Sequence, residues 1–345
     1  MNTRRSFLLS VGGGAPLLLG MSNKSGSAKP VLGSGEHKYE CTHDWGELPP
    51  EIKYGNTHGV CEDAEGHIYV HHTVNAASQS DDTMVVFDPK GKFVRSWGKE
   101  FKGGAHGLYI RKEGSEQFLY LCDVKNNVVV KTNLKGEHVW EIGYPDQSPD
   151  YQPGPDGKKK KYSPTNLAVV PNGDIYVGDG YGSSYVNQYN KDGKYIRTFG
   201  GPGSEAGKLN CPHGIICDTR GPEPILMVAD RGNNRIQTFG LDGKHIAFIG
   251  GTNMPCHFWF NRKGSMTVVP DLAARVTILD ADNKVIEHLG DDSEANDWKT
   301  LRTQSRDKFR PGKFVCPHGA CFDHKGDIYV AEWVEVGRVS KLRHV

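Results

Sequence analysis

The stretch NLAVVPNGDIYVGDGYGSSYVNQYNKDGKYIRTFGGPGSEAGKLNCPHGIICDTRGPEPILMVADRGNNRIQTF, residues 166–239, states one pattern twice. A short apolar strand runs into a turn. A second strand ends in Val-Gly-Asp-Gly (177–180) or Val-Ala-Asp-Arg (228–231), and a third carries Tyr-Val-Asn-Gln-Tyr (185–189) or Arg-Ile-Gln-Thr-Phe (235–239). An Asp-Gly turn, Asp192-Gly193 or Asp242-Gly243, then leads to a fourth strand. Four short strands per unit, repeating at roughly 40–50 residues, is the grammar of a β-propeller blade.

Working outward, inner-strand starts line up at six places: His58-Gly59, His106-Gly107, Thr165-Asn166, His213-Gly214, His257-Phe258 and His318-Gly319. Each precedes a turn and a second strand rich in β-branched and aromatic residues, such as Ile68-Tyr69-Val70 and Ile328-Tyr329-Val330. Fourth strands ending in Gly occur five times, from Phe93–Gly98 to Val285–Gly290. The last unit stops at Leu342 after its third strand, and YECTHDWG (39–46) supplies the pattern it lacks. An N-terminal strand that completes the C-terminal blade would close the ring and remove open sheet edges. The expected fold is therefore all-β, a six-bladed propeller over 39–345, with 29–38 as a linker.

Two insertions, 144–163 and 291–315, each join a fourth strand to the next first strand. Both fall on the face where inner strands begin, and long loops on one face of a repeat fold mark its binding face. The Lys158–Lys161 run there reads as a solvated loop tip. A net charge of +1 over 345 residues gives no electrostatic case for nucleic acid. Residues 1–28 carry Arg4-Arg5 before a modest apolar run and read as a twin-arginine export signal, so the mature chain is expected in the periplasm or secreted. The Val11–Gly20 run is too short to span a bilayer, and no membrane association is expected after the signal is removed. Export would permit disulfides among the eight cysteines. Several flank a His, as in Cys211-Pro212-His213, and the plainer reading is small apolar residues rather than a Cys/His cage.

Five of the six inner strands start with His, and inner strands line the central channel. His106, His213 and His318 fall in alternate blades, so their rings converge with three-fold symmetry. Three imidazoles offer a divalent metal three nitrogens and leave a position open, with zinc the default. The other alternate set, His58, Thr165 and His257, lacks one His, and its two imidazoles are expected to matter far less to the metal. Asp179-Gly180-Tyr181 and Asp230-Arg231 end second strands on the same face. Tyr181 would be a proton acceptor and Arg231 a clamp for a carboxylate, while the aspartates read as turn caps.

These motifs resemble the NHL-type propellers, and among them the catalytic domain of peptidyl-α-hydroxyglycine α-amidating lyase. The likeness runs over about 39–342 and rests on Pro164-Thr165, Asp-Gly-Tyr (179–181), ADRGNNRIQ (229–237) and Pro-His-Gly at 212–214 and 317–319. It implies zinc on His106, His213 and His318, a catalytic Tyr181, a substrate-binding Arg231, and cleavage of a peptidyl-α-hydroxyglycine to an amide and glyoxylate. The chain departs from the family in three ways. A second arginine at the end of blade one's second strand is replaced by His71-His72-Thr73, His58 and His257 are added at the channel, and an acidic calcium ligand is Gly319. Calcium is therefore not expected. The expected partner is a peptide or small molecule. The rival readings are a metal-dependent lyase or hydrolase on a sugar or other hydroxy-acid derivative, and a non-catalytic binding propeller.

Overall fold

The computed structural model describes residues 29–345, and the export signal expected at 1–28 lies outside them. Six antiparallel sheets follow one another around a ring, five of four strands and one of five. Blades one and two begin with inner strands Thr57–Glu62 and Ala105–Glu113, blades three and four with Asn166–Val169 and Pro212–Asp218, and blades five and six with Trp259–Phe260 and Pro317–Phe322. Inner, second and third strands are buried along most of their length because each blade is sandwiched between two others, while fourth strands such as His245–Ile249 are largely exposed.

The ring closes as its sequence pattern requires. Tyr39–Thr42 pairs antiparallel with Arg338–His344, with Cys41 opposite Leu342. Tyr39 and Cys41 are thereby buried in the core shared by blades five and six. Within the 29–38 segment, Val31–Leu32 adds a two-residue fifth strand outside Tyr39–Thr42. Trp259 packs against the cores of blades one, two and six.

A recurring clamp sets the face that carries the chemistry. The second strand of five blades ends at or beside an acid: Asp123, Asp179, Asp230, Asp271 and Glu332. Each is fully buried and holds nearby chain. Asp179 accepts from Ser163 N at 2.6 Å and Tyr151 Oη at 2.5 Å, both from the 144–163 insertion. Glu332 accepts from Val315 N at 2.8 Å, at the end of the 291–315 insertion. Asp230 accepts from Asn210 N at 2.7 Å and Arg235 Nε at 2.7 Å. A buried carboxylate answered by several donors is worth its desolvation, and a bare one would not be. These carboxylates are structural, and Asp179 and Glu332 pin the two insertions to one face. Arg302, from the second insertion, lies 3.5 Å above the Trp333 ring on that face.

Blade one breaks the rule. His72 stands at the clamp position, is fully buried, and its Nδ1 accepts only from Val74 N at 3.1 Å. Its neighbour His71 is also fully buried, and neither of its ring nitrogens has a hydrogen-bond partner among the described residues.

Candidate metal centre

His106, His213 and His318 converge on the channel axis. Their ring centroids stand 4.9, 4.8 and 4.7 Å apart pairwise. Each ring is held by the blade that follows it. His106 Nδ1–H donates to Thr165 O at 2.7 Å, His213 Nδ1–H to Cys256 O at 2.8 Å, and His318 Nδ1–H to His58 O at 2.9 Å. That bond fixes the tautomer, so each Nε2 is left as a lone pair. The sets whose ligand atoms fall within a common 4.8 Å are His58, His106 and His318, and His213, Cys256 and His318, so the triad shares His318 between two groupings.

The glycine after each histidine is part of this arrangement. A Cβ at Gly107, Gly214 or Gly319 would stand 2.6, 2.5 or 2.4 Å from Thr165 O, Cys256 O or His58 O, the same three carbonyls. His-Gly is therefore a single device. The imidazole donates to the neighbouring backbone, and the missing side chain lets that backbone approach.

This geometry corrects one alignment. The accepting residues are Thr165, Cys256 and His58, so Cys256 stands where His257 was expected to. A slip of one residue on a strand turns the side chain to the other face. His257 instead stacks on Trp259, with centroids 6.2 Å apart and planes at 22°, and its Nδ1 is buried without a partner among the described residues. Cys256 is the candidate site residue that the sequence pattern hid. Its Sγ lies within 4.8 Å of ligand atoms of His213 and His318. The carbonyl register that reveals it has no signature in the chain. Cys316 turns away, donating weakly to Trp298 O. All eight cysteines are free and six are buried, in keeping with the plainer reading for most of them.

Tyr181 and Arg231 reach the triad from neighbouring blades. The Tyr181 hydroxyl lies 3.1 Å from His106 Nε2 and 3.1 Å from His213 Nε2. Arg231 Nη1 donates to that hydroxyl at 3.4 Å, and its guanidinium sits 5.2 Å over the phenol ring. Both side chains are half-buried. Burial pushes the Tyr181 phenol above its ordinary range, and Arg231 pulls the other way. Burial likewise holds His106 down at about 3, and His213 and His318 well below the ordinary imidazole range. Neutral imidazoles are the form that binds metal.

A cation fits this donor set. Both Nε2 atoms facing Tyr181 are acceptors, and one hydroxyl proton satisfies only one of them. Three buried lone pairs on rings packed 4.7–4.9 Å apart are costly unless something positive shares them. Nitrogen donors without a carboxylate select zinc, copper, iron or nickel over calcium and magnesium. His58 also belongs to this cluster, while His72 does not.

No family model matches the chain. It is 30% identical over 340 residues to peptidyl-α-hydroxyglycine α-amidating lyase 1 of Drosophila melanogaster, covering 85% of this chain and 58% of that protein. It is 32% identical over 174 residues to a mouse peptidyl-glycine α-amidating monooxygenase, of which it spans 17%. Human NHL repeat-containing protein 3 is 26% identical over 299 residues, covering 82% of this chain and 78% of that one. Among solved structures, a gluconolactonase from Xanthomonas campestris superposes with a TM-score of 0.61 at 13% identity, covering 92% and 95% of the two chains. That likeness concerns the fold alone. The described residues include no helix long and apolar enough to cross a membrane.

Proposed function

We propose that this chain, an NHL-repeat six-bladed propeller resembling the peptidyl-α-hydroxyglycine α-amidating lyases, is an exported metal-dependent lyase that splits such a peptide into its amide and glyoxylate. The observation that carries the reading is the Tyr181 hydroxyl, set 3.1 Å from two metal-competent nitrogens and 3.4 Å from Arg231 Nη1. The resemblance supports the same reaction, and Arg4-Arg5 supports export.

His106, His213 and His318 would hold the ion, zinc in the first instance. A bound divalent cation supplies Lewis acidity to the substrate hydroxyl and favours the phenolate of a nearby tyrosine. Arg231 grips the substrate carboxylate through its planar fork. Tyr181 Oη takes the proton of the substrate hydroxyl. The carbon–oxygen double bond of glyoxylate then forms as the carbon–nitrogen bond breaks. The electron pair leaves with nitrogen, which takes the proton back, so Tyr181 ends as it began. Asp179 and Asp230 hold the ends of the strands from which Tyr181 and Arg231 project.

One feature favours a second substrate class. Blade one offers the mouth no guanidinium, because His72 is buried beneath Val74 and Tyr54. A mouth without a blade-one guanidinium beside Arg231 suits a smaller hydroxy-acid derivative. The test is glyoxylate release from a peptidyl-α-hydroxyglycine by the zinc-loaded protein. Release supports the amidating reaction. A fully loaded protein that forms no glyoxylate refutes it and leaves the hydroxy-acid class.

A further inference from the structure

Three-fold symmetry leaves His58 outside the metal set, yet the fold brings its ring in. His58 lies 4.7 Å from the His106 ring and 4.5 Å from the His318 ring, centroid to centroid. Those separations are no longer than the 4.7–4.9 Å within the triad itself. One ligand atom each from His58, His106 and His318 falls within a common 4.8 Å.

We propose that His58 is a fourth imidazole of the metal centre, a reading that rests on the metal-dependent function above. His318 fixes which nitrogens are free. Its Nδ1–H is given to His58 O, so the Nε2 that faces His58 Nδ1 at 3.4 Å is a lone pair. If His58 Nδ1 carried a proton, it would donate to His318 Nε2 and withdraw that nitrogen from the metal. If it carries none, two lone pairs face each other in a buried space, which only a cation between or beside them resolves. A centre that uses His318 therefore requires the second case, and His58 Nδ1 then becomes a donor too.

The neighbours favour His58 over the alternatives. Among the described residues its ring has no other hydrogen-bond partner to compete for Nδ1. Cys256 occupies the equivalent blade position, but its S–H turns toward Met254 O at 3.6 Å. Thr165, the third equivalent, donates its hydroxyl to Pro212 O at 2.9 Å. His257 is committed to the face of Trp259. His58, Cys256 and His257 all line, with the triad, a small cavity in the channel whose lining does not include Tyr181 or Arg231, so the ring separations and the His318 contact, and not the cavity, single out His58. A fourth donor there would leave the Tyr181 side of the ion for substrate.

The deciding experiment uses the unmodified full chain loaded with zinc alone. X-ray absorption at the zinc edge counts imidazoles per ion without any substrate. Four are expected, and three overturn the inference. Chelator competition gives a second measure. His58→Gln should weaken zinc binding by at least ~10²-fold, beyond the 10–100-fold of an outer-sphere partner. His257→Gln should stay within tenfold. If His58→Gln does not fold, the imidazole count on the unmodified protein decides alone. A four-imidazole ion in a protein that releases no glyoxylate refutes the amidating reaction and supports this inference. A three-imidazole ion with glyoxylate release does the reverse. A protein that takes up no zinc overturns both.

Discussion

Gly214→Ala tests the central claim about how the triad is held. The added Cβ would stand 2.5 Å from Cys256 O and 2.8 Å from His257 Cα. Both are backbone atoms, so no rotamer change relieves the contact. The inner strands of blades four and five must separate, and the Cys256 carbonyl must leave the His213 Nδ1–H it accepts at 2.8 Å. Overpacking of this kind costs about 1–3 kcal/mol. Losing the hydrogen bond that orients a metal-binding histidine costs about 10–100-fold in affinity. Gly143→Ala is the internal control, because a Cβ there meets nothing within 4 Å. Zinc affinity by chelator competition and melting by calorimetry should both fall for Gly214→Ala and stay level for Gly143→Ala. If Gly214→Ala binds zinc as tightly as the unmodified protein and melts with it, the carbonyl does not orient His213 and the account of the His-Gly pairs is wrong.

Four further outcomes are expected. Burial holds His71 and His257 at about 4 and His72 and His106 at about 3, against an ordinary 6.5. The unfolded chain therefore binds protons that the folded one refuses. Stability is full above pH 6.5 and falls below it by about 1.4 kcal/mol per pH unit for each group, or ~5 kcal/mol per unit for the four. Urea unfolding of metal-free protein from pH 8 to 5 should show that fall, and a flat profile would contradict neutral burial. Tyr181→Phe should keep its zinc while glyoxylate turnover drops by ~10²–10⁴-fold, and undiminished turnover would remove Tyr181 from the proton transfer. Arg231→Lys keeps the charge but loses the fork, so KM should rise more than kcat falls; the opposite split would mean that Arg231 acts on the transition state. Deleting residues 29–42 strips the outer strands from Arg338–His344 and uncovers the core beside Leu342. Circular dichroism should show the whole ring melting earlier, and a truncated protein that melts with its parent would separate closure from stability.

The blades were legible from the chain because a propeller is built from local rules. Alternation of apolar residues, Asp-Gly turns and a period near 40–50 residues need only a few neighbours to express themselves. Closure by Tyr39–Thr42 was legible for the same reason, since one unit lacked its last strand and one strand lacked its unit. Blade counting alone set His106, His213 and His318 on alternate blades, and Tyr181 and Arg231 at matching strand ends. The sequence could not say which nitrogen each imidazole presents. That depends on a carbonyl about 40–60 residues away in the chain, or 260 away for His318 and His58. Nor could it separate His58 from His257, two histidines at what look like equivalent strand starts. A single-residue difference in register turns one ring toward His318 and lays the other on Trp259. Register between blades is set by the packing of whole sheets against each other, which is a property of the closed ring and of no segment within it.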